Sequence, residues 1–184
     1  IKDFLGTMSI KNSKENQVFY DDVRYMTVVG KELDSLNKSL QAIEKDSLKQ
    51  APIKKKMELL TEDIRKQRQG IVQKYPDLLY AKLINMMLDI KIPDAPKGAD
   101  GQPEPNFAYF YLKDHYFDGV DFSDPGLIRT PVLLPKIMRY MDEMIVPMPD
   151  SIIAACDRLI TQAEANQEMY RVVLSELLNK YAKS

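Results

Sequence analysis

Apolar residues recur at helical spacing along most of the chain. From Ser13 onward, Phe19, Met26, Leu33 and Leu40 repeat every seven residues, and Val29, Leu36 and Ile43 fill the complementary positions. This spacing predicts an amphipathic helix over residues 13–46, about 50 Å long at 1.5 Å per residue. Ser13 is its expected N-cap, a side-chain oxygen that accepts a free backbone N–H of the first turn. Asp22 interrupts the seam, so fraying is expected near its start. Gly30 lies inside the pattern and costs about 1 kcal/mol relative to alanine, which makes a kink possible there. A second seam (Ile53, Met57, Leu60, Ile64, Ile71, with Gln67 as its exception) follows Ala51-Pro52, and Pro52 is placed to open that helix. Joined by a short polar turn, the two seams bury each other as a long antiparallel hairpin.

Beyond the hairpin the elements shorten. Tyr75-Pro76-Asp77 restarts the chain, and Leu79, Leu83, Met86, Met87 and Ile90 mark a short apolar helix. Residues 93–105 carry most of a proline- and glycine-rich run and are a loop by every local signal. A helix is expected over residues 106–115. Residues 116–130 look irregular, with turn chemistry at Asp124-Pro125-Gly126. Pro131 or Pro135 is placed to open the next helix, and Pro147 and Pro149 to end it. Asp150-Ser151 is the expected cap of a further helix, and a last one follows Ala165-Asn166. Short links favour antiparallel neighbours. The expected class is therefore all-α: a long antiparallel helical hairpin followed by a multi-helix bundle of short helices. Four stretches follow from this reading. Residues 1–12 are a linker or the end of a preceding domain, 13–92 the hairpin plus short helix, 93–105 the loop, and 106–184 the C-terminal helical part. Together they are read as one continuous domain.

Composition narrows the function classes more than it names one. With 26 basic and 27 acidic residues the formal charge is −1, whereas a nucleic-acid binder would normally carry a basic excess. No apolar run approaches 18 residues, so no membrane-spanning segment is expected. The chain starts at Ile1 without an initiator methionine and stops at Ser184 directly after a helical pattern, as a domain cut from a longer exported protein would. The single cysteine, Cys156, excludes an internal disulfide and a C-x-x-C pair within the chain. The basic groups Lys54-Lys55-Lys56 and Arg65, Lys66, Arg68 mostly fall off the seam, as a solvated face would.

Candidate chemistry concentrates between residues 109 and 131, which hold six aromatics, the only histidine and four aspartates. His115 is the only residue on which a Ser-His-Asp or Cys-His mechanism could be built. An enzyme of this kind would use it with Asp114 or Asp118, but a structural or solvent-facing role fits it better. Cys156, in the apolar pattern of a helix, reads as an inert thiol acting as a small hydrophobe. Asp118, Asp121 and Asp124 stand at three-residue intervals and could offer oxygens to calcium, but they lack the EF-hand spacing, so turn or capping roles are expected. Tyr109, Phe110, Tyr111, Tyr116, Phe117 and Phe122 are either core or the lining of a groove. If they form a groove, the interaction surface is Tyr109, Tyr111, His115, Tyr116, Phe117 and Phe122. No phosphate-binding glycine loop, G-x-S-x-G or H-E-x-x-H is present, and no catalytic, cofactor or metal set is expected.

The stretch Tyr111-Leu-Lys-Asp-His-Tyr-Phe-Asp-Gly-Val-Asp-Phe-Ser-Asp-Pro125, with Arg129-Thr-Pro131, resembles a helical domain of unknown function. That domain precedes the thioredoxin-like domain in exported thiol:disulfide interchange proteins of Gram-negative gut bacteria. Residues 154–160 and 166–170 resemble the same family, and Ser13-Lys-Glu-Asn with Tyr75-Pro-Asp resembles its N-terminal helical segment. The resemblance implies a periplasmic or outer-membrane-anchored protein. It also implies a thioredoxin-like domain in the same polypeptide and a non-catalytic accessory role, positioning or selecting protein or peptide partners. The family's redox pair has no counterpart here. An independent peptide or small-molecule binding module built on residues 109–122 is the alternative expectation.

Overall fold

The computed structural model describes residues 7–43, 47–99 and 101–182. Among them are seven α-helices and no strand, so the expected all-α class holds. The chain divides into two compact units, Ile1–Ala81 and Lys82–Ser184. The sequence had suggested one continuous domain with its break at 93–105.

In the first unit, α1 (Lys14–Ala42) and α2 (Ser47–Lys74) form the expected hairpin. Ser13 caps α1 by accepting the Asn16 N–H at 3.3 Å. Lys56 and Glu32 pair across the hairpin at 2.7 Å. The Gln50 side chain donates to the Ile43 carbonyl, one of the acceptors left over at the end of α1. Residues 44–46, where the predicted helix would have ended, lie outside the described residues. Pro52 does not open α2. It sits in the helix interior, where it removes one backbone bond but tolerates a start five residues earlier.

The seam of α1 also differs from the heptad reading. Val18, Asp22 and Val29 are the buried positions, while Phe19 is partly exposed. The cause is a third helix, α3 (Leu79–Met87), whose first turn is held by the start of α1. Glu15 accepts the Leu79 and Tyr80 N–H groups at 3.2 and 2.6 Å, an N-cap supplied from 64 residues away. Phe19 meets the Tyr80 ring edge-on at 5.0 Å. Asp22 accepts the Tyr80 hydroxyl at 2.6 Å. Residues 15, 19 and 22 share one helix face, so Asp22 joins this contact and the seam does not fray there.

In the second unit, the proline-rich stretch folds as a tight turn with one antiparallel bridge, Lys97 to Pro103, and Gly101 takes φ 77°. Next come α4 (Phe107–His115), a 3-10 turn (Pro125–Arg129), α5 (Leu133–Arg139), a π-helical turn (Tyr140–Met144), α6 (Pro149–Ala163) and α7 (Gln167–Tyr181). Neither Pro131 nor Pro135 opens α5, which starts at Leu133 with Pro135 in its first turn. Pro149 itself is the first residue of α6, so Asp150-Ser151 lies inside that helix and does not cap it. The last helix follows Ala165-Asn166 as expected, and Asn166 caps it, its Oδ1 accepting the Glu168 and Met169 N–H groups.

The core of this unit joins Leu127, Leu133, Ile137, Leu159, Ala163, Met169 and Val173, all fully buried, with Phe117, Phe122 and Tyr140. Burying each large apolar side chain stabilises the fold by about 1.5–3 kcal/mol. The hairpin of the first unit, with its mostly half-buried seams, gains far less per residue.

Candidate binding cleft

The aromatic segment divides by role. Phe117 and Phe122 are core, with ring centroids 5.8 Å apart, and Phe117 lies 4.9 Å from Tyr140. Tyr109 donates its hydroxyl to the Met144 carbonyl at 2.6 Å, tying α4 to the end of the π-turn. Tyr111 stacks on His115 at 4.1 Å on the surface, and His115 Nδ1 meets Asp118 Oδ2 at 2.5 Å. The one large aromatic of the segment left well exposed is Phe110. The six candidate residues therefore do not line a single groove.

The aspartates are turn and ion-pair residues. Lys82 donates to Asp121 at 2.9 Å and to Asp124 at 2.7 Å, so the chain's own ammonium lies between two of the three carboxylates. The second oxygen of Asp121 takes the Ser123 N–H and hydroxyl, and that of Asp124 takes the Gly126 N–H. Asp118 points to His115 instead. Among the described residues no three metal-binding side chains gather. Cys156 packs against the core, and burial pushes its thiol up, away from the thiolate a nucleophile needs.

Of the six, Tyr116 borders a cleft. This cleft of about 570 Å³ has Met86, Leu88, Leu112, Pro131, Pro135 and Met144 among its apolar walls. Asp89, Lys136, Arg139 and Glu143 bring charge to it. Arg139 and Glu143 neutralise each other at 2.7 Å. Lys136 is different: it is half-buried, its ammonium lies 4.5 Å from the Tyr116 ring centre, and burial, with Arg139 adding to it, pulls its pKa down. The π-turn supplies Glu143 and Met144, and widened turns of this kind often accompany functional positions. Sequence reading passed over Lys136. Its one signal is a lysine set between Leu133-Leu134 and Ile137-Met138, in an otherwise apolar run.

A hairpin unit and a short-helix unit with an apolar, charge-lined cleft define an all-α chain. The chain belongs to the family described as Domain of unknown function (DUF5106), whose model matches residues 44–183. No curated protein and no solved structure matches it.

Proposed function

We propose that this chain is a non-catalytic accessory domain that holds an apolar, acid-bearing segment of a partner protein in the cleft of the second unit. The observation that carries the reading is Lys136, a half-buried ammonium on an apolar wall, 4.5 Å from the Tyr116 ring centre, which burial and the nearby Arg139 disfavour. A carboxylate arriving with an apolar segment would add a counter-charge close to Lys136, while the walls take its side chains. Burial of Lys136 disfavours its charged form in the absence of such a partner.

The setting we propose is an exported thiol:disulfide interchange protein, periplasmic or anchored at the outer membrane, with a thioredoxin-like domain in the same polypeptide. The resemblance of residues 111–131 supports that setting. The domain would then present partners to the redox domain and do no redox chemistry itself.

Two measurements test these two levels separately. The first is NMR titration with an apolar peptide carrying one glutamate, compared with its glutamine counterpart. The glutamate peptide is expected to shift Leu112, Tyr116 and Met144, and Lys136→Met should reduce its affinity to that of the glutamine peptide. The same substitution should raise the melting temperature, because a buried charge is replaced by an apolar chain of similar length. Equal affinity for the two peptides would remove the cleft reading. The second measurement is the gene sequence beyond the Ser184 codon. A thioredoxin-like domain with C-x-x-C supports the accessory role, and a stop codon overturns it.

A further inference from the structure

We infer that the first unit carries a separate small-molecule site between α1 and α2, which takes a hydroxylated organic anion such as a sugar acid. Its anionic group would lie on Lys14, Lys66 and Lys74, and one of its hydroxyls would donate to Asp22. A cavity of about 330 Å³ lies there, bordered by residues of these two helices and Tyr75. That is the small end of the range for ligand pockets.

Asp22 forms part of its wall and is 1% exposed. One carboxylate oxygen accepts the Tyr80 hydroxyl, and the other is buried with no hydrogen-bond partner. A buried acceptor of this kind is rare in a folded protein and asks for a donor from the adjoining space. Three ammoniums stand around the same cavity. Those of Lys14 and Lys74 lie 4.8 and 5.3 Å from the Tyr75 ring centre, and together, Lys74 first, they hold the phenol below its ordinary value. Lys66 reaches Glu62 only at 3.9 Å. The exposed acid on the wall, Asp21, is already engaged by Arg24 at 2.9 Å. Three lysines and one buried acceptor therefore border the same cavity, which matches a ligand that is anionic at one end and a hydrogen donor at the other.

Gly70 supplies the room. It lies inside α2, where glycine weakens a helix, and a Cβ built on it meets nothing within 4 Å. A long side chain at this position would occupy the cavity without disturbing packed neighbours.

The experiment is an NMR titration of the full chain with D-glucuronate, D-glucose and inorganic phosphate in parallel. Glucuronate is expected to give saturable shifts confined to residues 14–22 and 66–75, with glucose and phosphate about tenfold weaker or worse. Gly70→Met should weaken glucuronate by about tenfold or more and leave the melting temperature undiminished, since methionine favours the helix. Absence of saturable shifts with glucuronate overturns the inference. So does phosphate binding as well as glucuronate, or undiminished glucuronate binding by Gly70→Met.

Discussion

Gly119 shows how much one hydrogen atom can decide. A Cβ at this position would lie 2.5 Å from the Asn85 carbonyl oxygen and 3.1 Å from its carbon, both backbone atoms of α3 that cannot swing aside. The Asn85 side chain then donates to the Gly119 carbonyl at 3.3 Å, closing the contact from the other side. Gly119→Ala is expected to destabilise the second unit by about 1–3 kcal/mol, the usual cost of overpacking a filled site. A lower urea midpoint with an unchanged slope would record it. An unchanged midpoint would mean that the approach of the two backbones is not required. This glycine stands in the middle of the aromatic-aspartate stretch, and its spacing there says nothing of a neighbour 34 residues away.

At the scale of elements, the first unit depends on one polar contact inside an apolar seam. Tyr80→Phe would leave the buried Asp22 carboxylate with no donor at all, at a cost of about 1–3 kcal/mol. The double change Asp22→Leu with Tyr80→Phe should recover most of that loss, because it turns the contact into an apolar one of similar shape. Chemical denaturation of the two variants side by side is the check, and a double variant no more stable than the single one would contradict it. The helices themselves were legible in the sequence because their seams persist for many turns, and Ser13 announces the first of them by side-chain chemistry alone. Asp22 read as a defect because its partner, Tyr80, is 58 residues distant. Pro52 and Pro149 show the limit of punctuation residues: one is absorbed in a helix interior, the other starts the helix it was expected to precede. Lys136 was invisible for a different reason, since its environment depends on which walls the short helices bring together.

In the second unit, one ion cluster responds to both acid and alkali. Asp121 is held below the ordinary carboxylate value first by the Ser123 hydroxyl and then by Lys82, and Asp124 first by Lys82. Lys82 is held above its ordinary value by Asp124 and then Asp121. The two aspartates therefore stabilise the fold above their unfolded value of 3.8, and lose that contribution as pH falls through their lower folded values. Lys82 contributes fully below 10.5 and loses its share as pH rises through its higher folded value. Urea midpoints measured across pH should thus fall on both flanks. Lys82→Met should reduce the alkaline flank by the share of Lys82, leaving that of the Cys156 thiol and the Tyr116, Tyr140 and Tyr181 phenols, which burial raises. It should reduce the acid flank only in part, because Ser123 still holds Asp121. An alkaline flank of unchanged size in this variant would mean that Lys82 has no share in it.

The cap that Glu15 places on α3 bears on how the family itself is delimited. The family model begins at residue 44, after α1 has ended, yet the first turn of α3 takes its anion from α1 and its aromatic partner from Phe19. A recombinant fragment trimmed to the family's own limits would remove the helix that packs on α2 and leave two backbone donors of α3 without their carboxylate. The stretch over which relatives can be recognised is thus shorter than the stretch that must be expressed together. Where other members of the family are cloned, the helix upstream of the recognisable region belongs in the plasmid.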